Sequence, residues 1–190
     1  MENLLLFIRT LTDFSDEAWI CLQPALRLQE YRKNEVLLKE GDICDQLFYI
    51  EKGYCKSYCM IDAEKKNIGF FFEDEIATDI QSFGSGHPSA LNIVACEPLA
   101  VVIFDKKKLF EVSSQHIEIE RLGRNCIRQF ASKQAEFANM AKLYKPQERL
   151  DFLERQFPEM VQRVPLTQLA SFLGVARETL SRIRRRRIYY

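Results

Sequence analysis

The hydrophobic pattern changes twice along the chain, and the three stretches predict different secondary structure. Residues 3–22 carry apolar side chains at helical spacing, with Ser15 as a candidate N-cap before two acidic residues. From about 25 to 104, short alternating or β-branched runs separated by turn residues predict strands. These runs are 25–31, 35–39, 46–51, 54–60, 67–72, 91–96 and 99–104. Many short strands at this spacing favour an antiparallel barrel or roll.

After Phe104 the pattern becomes helical. Asp105 is placed to cap a short helix through Val112, and a long amphipathic helix is predicted at 117–144. Its length of about 28 residues would make a rod of roughly 42 Å. Its apolar positions step mostly by three and four residues: Ile119, Leu122, Cys126, Phe130, Phe137 and Ala141. This coiled-coil spacing predicts a dimer interface with a second copy of the chain, and packing on the chain's own roll is the alternative.

Further helices are predicted at 147–156, 159–163, 166–173 and 176–186, and the last two have the pattern of a helix-turn-helix. Ala170 falls where the two helices would cross closely, and Gly174 falls at the tight turn, where a positive φ costs glycine little. The apolar positions expected of the motif are filled by Leu169, Leu173, Val175, Leu180 and Ile183. An ordinary helical hairpin with the same packing is the alternative.

The outward face of the second helix favours DNA binding over that alternative. Five polar residues lie on or near one side: Arg177, Glu178, Ser181, Arg182 and Arg185. An arginine can bond guanine O6 and N7 together, and a glutamate can accept from cytosine N4. The run Arg184–Arg187, which includes Arg186, adds positive charge for phosphates. We therefore predict a DNA-binding helix here.

In this chain of 190 residues and 22.3 kDa, the charge differs between the front of the sequence and its tail. Hydrophobic residues make up 47%, which is enough for a packed core. Basic and acidic residues balance at 27 each, but residues 145–190 hold ten basic and five acidic ones. An acidic front and a basic tail suggest that the tail meets a polyanion. The predicted domains are 1–116, a roll with N-terminal helices; 117–144, the dimerisation helix; and 145–190, the DNA-binding domain.

Several other classes of protein find no support in the sequence. No apolar run approaches the roughly 18 residues of a membrane span, and the N-terminus does not read as a signal peptide, so we expect a cytoplasmic protein. The six cysteines form no C-x-x-C pair, and with two histidines there is little for a zinc site. No G-x-S-x-G, P-loop or G-x-G-x-x-G motif occurs, and no carboxylate has the apolar setting of a tuned acid or base. We expect neither an enzyme nor a metal site.

The run Arg177-Glu178-Thr179-Leu180-Ser181-Arg182 resembles the R-E-T-x-x-R recognition helix of the cyclic-AMP receptor/Fnr (Crp/Fnr) family of bacterial transcription regulators. Glu40-Gly41-Asp42, Leu47–Ile50 and Gly53 resemble that family's cyclic-nucleotide-binding β-roll. The resemblance implies an α+β fold with an N-terminal antiparallel β-roll, a long dimerisation helix and a C-terminal helix-turn-helix. It implies base contacts by Arg177, Glu178 and Arg182 and a phosphate contact by Thr179. Ala176 replaces a serine that contacts phosphate in the family.

The effector site departs further from the family. The Gly-Glu pair that helps to hold the cyclic phosphate aligns with Thr78-Asp79, and the Arg-Ser pair aligns with Ser89-Ala90. The arginine that neutralises the phosphate is therefore missing, and its charge-assisted bond is worth roughly 1.5–3 kcal/mol. The long helix offers only Ser132 toward an adenine base. Backbone amides of Ser85-Gly86-His87 are a further source of donors.

The sequence thus predicts a homodimeric, sequence-specific transcription regulator that binds a pseudo-palindromic operator in double-stranded DNA. We expect cyclic-AMP binding to be lost or greatly weakened, an unknown small-molecule effector, and no iron–sulfur cluster, because the N-terminal cysteine cluster of the Fnr branch is missing. RNA polymerase is a further partner implied by the resemblance. Two alternatives stay open: a cyclic-nucleotide-responsive regulator with a modified phosphate site, and a ligand-binding or protein-interaction module that has lost specific DNA readout.

Overall fold

The computed structural model describes the backbone of residues 1–188 and the side chains of residues 1–185. The chain divides into two compact units. The first unit contains Met1–Cys59 and Phe70–Gln129, and the second contains Met60–Gly69 and Phe130–Tyr190. The division falls inside the long helix rather than near Lys145, and it assigns the end of one β-hairpin to the second unit. The predicted domain boundary therefore differs from the division that the contacts make.

Two four-stranded antiparallel sheets form the β-structure. One sheet has the order β1-β8-β3-β6, and the other has the order β2-β7-β4-β5. The strands are β1 (Leu26–Tyr31), β2 (Val36–Leu38), β3 (Gln46–Lys52), β4 (Cys55–Ile61), β5 (Glu64–Phe71), β6 (Ile76–Ala77), β7 (Asn92–Ala95) and β8 (Leu99–Asp105). Strand β8 alternates little because Val101 to Phe104 are all buried between its neighbours. The predicted antiparallel β-structure is confirmed.

Three short helices and the start of the long helix close one end of the first unit. They are α1 (Glu2–Leu11), α2 (Asp16–Leu22), α4 (Lys106–Ser113) and α5 (Ile117–Leu143). Ser15 caps α2 by accepting from the Ala18 amide at 3.1 Å, as predicted. The Ser15 amide donates to a Glu118 carboxylate oxygen at 2.7 Å, and this bond lowers the pKa of Glu118. The start of α5 is thereby fixed against α2.

The second unit joins the hairpin end to four helices and the latter part of α5. The helices are α6 (Pro146–Gln156), α7 (Pro158–Arg163), α8 (Leu166–Leu173) and α9 (Arg177–Ile188). The Asn67 amide donates to Ser171 Oγ at 3.1 Å, and Asn67 Nδ2 donates to the Gln168 carbonyl at 3.2 Å. These bonds hold the hairpin end to α8.

Most predicted elements lie within a few residues of the observed ones, and three short elements are additional, one of them the 3-10 turn Gln23–Ala25. Strand β6 has two residues, and α3 (Ile80–Ser85) has six. Asp79 is the N-cap of α3, and Gly86 ends it in the left-handed conformation. Helix α3 contains Gln81, Ser82, Gly84 and Ser85, so it lacks the apolar periodicity that marks the longer helices.

Candidate DNA-binding surface and effector site

Helices α8 and α9 pack closely around a tight turn. Leu169, Ala170, Leu173 and Leu180 are at most 2% exposed. Gly174 has φ +66°, and its amide donates to the Ser171 carbonyl, so the turn needs the left-handed conformation that glycine adopts easily. Val175 and Ile183 are half-buried. The apolar pattern read from the sequence therefore corresponds to the packed side of this helical pair.

The opposite side of α9 presents the predicted contact residues. Arg177, Glu178, Arg182 and Arg185 are exposed, whereas Thr179 and Ser181 are half-buried. Arg182 Nη2 lies 3.4 Å from Thr179 Oγ1, so these two side chains are neighbours on the same face. Three guanidinium groups and one carboxylate thus share an exposed surface of α9. Such a surface can donate to guanine and accept from cytosine.

The arginines at the end of α9 differ in their exposure and contacts. Arg184 is half-buried, and its Nη2 donates to the Val161 carbonyl at 3.3 Å. It therefore holds α9 to α7 rather than projecting freely toward a phosphate. The side chain of Arg186 lies outside the described residues, so its phosphate contact stays a prediction.

At the predicted effector site, the Asp79 carboxylate accepts hydrogen bonds from the nearby amides and hydroxyl. Asp79 Oδ1 accepts from the amides of Gln81 at 3.0 Å and Ser82 at 3.2 Å. Asp79 Oδ2 accepts from the Ser89 hydroxyl at 2.8 Å. Both side chains are buried, at 7% and 3% exposure. The sequence-predicted residues Asp79 and Ser89 are brought together, but they bond to each other.

The groups around this pair are also satisfied internally. Ser82 Oγ accepts from the Cys44 amide at 2.9 Å and donates to the His87 carbonyl at 2.6 Å. Buried Thr78 donates to the Gln46 carbonyl at 3.3 Å. The amides of the Ser85–His87 loop are used as well, since the His87 amide bonds Ser85 Oγ and the Gly86 amide bonds the Ser82 carbonyl. None of these groups is left to hold a phosphate.

Two other predicted effector residues do not join this network. Ala90 is exposed, and its methyl side chain offers no polar group. Ser132 is exposed on α5 and belongs to the second unit. Among the described residues, neither side chain makes a hydrogen bond that would mark it as part of a binding site.

The apolar positions assigned to the dimer interface are mostly covered by their own chain. Ile119 and Leu122 are 2% and 5% exposed, within the core cluster that includes α1 and α2, and Cys126 packs against that cluster. Phe137 is buried, with its ring centroid 4.9 Å from that of Phe157 and 5.2 Å from that of Phe172. Phe130 is half-buried. The assignment of Ile119, Leu122 and Phe137 to a dimer interface is therefore wrong, because intramolecular packing already covers them.

Another face of α5 is exposed, and its residues also repeat in steps of three and four. Ala141, from the predicted interface, is exposed, and so are Ile127, Ala131, Gln134 and Ala138. Their steps of four, three, four and three residues follow the heptad pattern. Ile127 is 57% exposed. These five residues are called the exposed seam below.

The cysteines do not form a reactive or metal-binding group in the part of the chain that the structure describes. All six are free thiols, and burial raises the pKa of Cys96 and of Cys126 to about 11. Burial also raises the pKa of Cys55. Among the described residues, no cluster of His, Cys, Asp and Glu could hold a metal ion, and no helix is long and apolar enough to span a membrane.

Sequence reasoning missed two residues with connecting roles. Arg149 bonds three backbone carbonyls in the second unit, and Asn67 bonds α8 from the hairpin end. Arg149 resembles any other exposed arginine of an amphipathic helix in the sequence. Asn67 lies in a predicted strand, where a single polar residue carries no signal of a distant partner.

Residues 28–116 match the family model of the cyclic nucleotide-binding domain. No curated protein matches the chain. Among solved structures, FixK2 from Bradyrhizobium japonicum is similar, with a TM-score of 0.69 and 16% identity over 85% of this chain and 83% of that one. The c-di-GMP-responsive global regulator CLP of Xanthomonas campestris has a TM-score of 0.70 and 15% identity, over 90% of this chain and 91% of that one.

A third similar structure is assigned to the crp/fnr family of transcriptional regulators and comes from Eubacterium rectale. It has a TM-score of 0.66 and 14% identity, over 91% of this chain and 83% of that one. Residues 28–116 are thus similar to the cyclic nucleotide-binding domain. Over 91% of its length the chain has a fold similar to that of this crp/fnr regulator. The resemblance predicted from the sequence is confirmed at the level of the fold.

Proposed function

We propose that the protein is a homodimeric, sequence-specific DNA-binding transcription regulator of the Crp/Fnr type. The observation that carries the proposal is the exposed polar face of α9, with Arg177, Glu178, Arg182 and Arg185 opposite a fully buried Leu180. In this proposal α8 and α9 form a helix-turn-helix, and α9 enters the major groove. The basic balance of residues 145–190 supplies attraction to phosphates.

The dimer of this proposal forms through the exposed seam of α5. Ile127 supplies an exposed apolar side chain, and the alanines at 131, 138 and 141 let two helices approach closely. The single polar position, Gln134, is of the kind that fixes register in a coiled coil. A two-fold dimer would place two recognition helices in successive major grooves, about 34 Å apart, and the operator would be a pseudo-palindrome.

The effector domain of this proposal does not bind cyclic AMP in the way of its family. Ser89 stands where an arginine is expected, and Asp79 places a carboxylate on the donors that a phosphate would need. A phosphate would have to displace that carboxylate and would meet its negative charge in a buried setting, which is unfavourable. We therefore expect DNA binding that does not depend on cyclic AMP.

The test is the selection of bound sites from random duplex DNA by the purified protein, at near-physiological salt, with and without cyclic AMP. We expect the same palindromic consensus in both conditions. Salt-sensitive binding without any consensus would contradict the proposal and favour an interaction module that has lost specific readout. A regulator also needs a transcription partner, and contact with RNA polymerase stays a prediction.

The family match over residues 28–116 favours one second candidate, a regulator that responds to a cyclic nucleotide through a modified site. The similar protein CLP is c-di-GMP-responsive, so c-di-GMP belongs in the same titration as cyclic AMP and cyclic GMP. A consensus that emerges only with one of these nucleotides would establish the second candidate.

A further inference from the structure

Arg149, near the start of α6, bonds backbone carbonyls from two other helical segments. Its Nε donates to the Tyr144 carbonyl at 2.9 Å, and its Nη2 donates to the Ala141 carbonyl at 2.8 Å. Its Nη1 donates to the Leu173 carbonyl at 2.7 Å. One half-buried guanidinium group thus joins the end of α5 to the end of α8.

These carbonyls are ones that need a partner. The last four carbonyls of a helix have no partner inside the helix, and they form the negative end of the helix dipole. Ala141 lies in the last turn of α5, and Leu173 is the last residue of α8. A guanidinium group carries five donors in a fixed plane and keeps its charge at all working pH values. It can therefore satisfy both helix ends with directional, charge-assisted bonds.

The connection lies directly before the turn into α9. Leu173 is followed by Gly174, and α9 begins at Arg177. Helix α6 also contacts α8 and α9 and buries Leu150 and Leu153. Apolar packing of this kind is not directional. The three hydrogen bonds of Arg149 supply a directional constraint between the end of the long helix and the α8–α9 pair.

We infer that Arg149 is a positioning residue that fixes the recognition helix relative to the long helix and so sets which half-site spacing the dimer accepts. This inference rests on the proposed function. The two recognition helices of a dimer reach the DNA at a separation set by how each is held to its long helix. A loosened connection lets the same helix read the same bases over a wider range of spacings.

The first test compares wild type, Arg149→Met and Arg149→Lys on operators whose two half-sites are moved apart or together by one or two base pairs. Methionine keeps the aliphatic stem and removes every donor, whereas lysine keeps the charge but cannot reach three carbonyls. For Arg149→Met we expect discrimination between spacings to fall at least about tenfold, with the selected half-site sequence unchanged. Arg149→Lys should fall between Arg149→Met and wild type.

The matched control is Arg155→Met on the same helix. Arg155 is exposed, and within the part of the chain that the structure describes its Nε bonds the Asp151 carbonyl of its own helix. It should keep the spacing preference of wild type. Unchanged discrimination in Arg149→Met would overturn the inference, and so would an altered half-site sequence, because that would place the effect in base reading.

The second test does not use DNA and so separates this inference from the proposed function. Spin-labelled amino acids at exposed Asn139 on α5 and Arg185 on α9 report the distance between the two helices, in dimers diluted with unlabelled chain. We expect one narrow distance in wild type and Arg155→Met and a broad distribution in Arg149→Met. A narrow, unchanged distance in a folded Arg149→Met protein overturns the positioning role. Failure of wild type to select any operator, with the broadening present, overturns only the proposed function.

Discussion

The buried pair Asp79 and Ser89 lies where the family resemblance predicts the phosphate site. An aspartate at the N-cap of α3 and a serine ten residues later replace a glutamate and an arginine of the family pattern. The aspartate accepts from two amides and one hydroxyl in a buried setting. The site therefore keeps a carboxylate, here bonded to groups of its own chain, and lacks the cation that an external anion would need.

Removing this internal anion should destabilise the protein measurably. Asp79→Ala leaves two amides without their acceptor and leaves the Ser89 hydroxyl only the Leu91 carbonyl, at 3.0 Å. We expect a cost of about 2–4 kcal/mol in the free energy of unfolding. Urea unfolding measures the difference. In a double-mutant cycle with Ser89→Ala we expect a coupling free energy of about 1–3 kcal/mol, because the two side chains bond each other.

The matched control is another N-capping aspartate. Asp105 caps α4 by accepting from the Lys108 amide alone, at 2.9 Å. Asp105→Ala should cost about 1 kcal/mol, the usual cost of losing an N-cap. Equal costs for the two substitutions would show that the buried Ser89 contact contributes nothing.

Arg182 is the residue at which base reading is most directly testable. Its side chain is exposed on the middle of α9 beside Thr179. Arg182→Ala should relax the preference at one position of each half-site, at a cost of about 1–3 kcal/mol, and competition among single-base operator variants measures this. Arg155→Ala, an exposed arginine on α6, should leave every preference unchanged. A uniform loss on all operator variants would contradict the base-reading role and indicate a phosphate contact.

At the scale of elements, the long helix has one face that its own chain covers and another face that is exposed. One face is covered by α1, α2 and the aromatic side chains around Phe137. The other is the exposed seam, where small side chains follow the heptad steps. A heptad pattern indicates that a face is apolar, but the pattern alone does not say which helix covers it.

A charge placed in the exposed seam should separate the dimer. Ala131→Glu brings like charges together across the two-fold interface, and we expect the dimer dissociation constant to rise at least about tenfold. Analytical ultracentrifugation at several concentrations measures this. Gln129→Glu, an exposed position on another side of α5, is the matched control and should stay dimeric. Dimers of equal strength in both variants would place the interface elsewhere.

The sequence predicted the long elements well. It predicted poorly the short elements and the residues whose partners lie far away in the sequence. Helix α8 was predicted with its observed bounds, because its apolar residues repeat at helical spacing and Gly174 ends it. Strand β6 and α3 were missed because two to six residues hold too little periodicity. The polar face of α9 was predicted because arginine and glutamate side chains can form hydrogen bonds with base edges, whatever their exact position. Arg149 was not, because its role depends on carbonyls 8 and 24 residues away.

At the scale of the whole molecule, ligands should distinguish an effector-independent regulator from a nucleotide-responsive one. We expect millimolar cyclic AMP to leave the Tm of the full protein unchanged, because Asp79 holds the donors of the site. The selected operator duplex is the positive control: at 100 times its Kd it stabilises by about 2.7 kcal/mol, which is about 5 °C or more for a chain of this size. A rise in Tm with cyclic AMP would mean that the internal anion can be displaced.

The division of the chain has a consequence for how such a protein can evolve. The unit that carries α8 and α9 also contains Met60–Gly69, so it is not one continuous stretch of sequence. Recombination that transfers residues 130–190 alone would leave the Ser171 hydroxyl and the Gln168 carbonyl without the partner that Asn67 provides. We therefore expect the hairpin end and the helical pair to be inherited together. We also expect substitutions at Asn67 and Ser171 to constrain each other, although 104 positions separate the two residues.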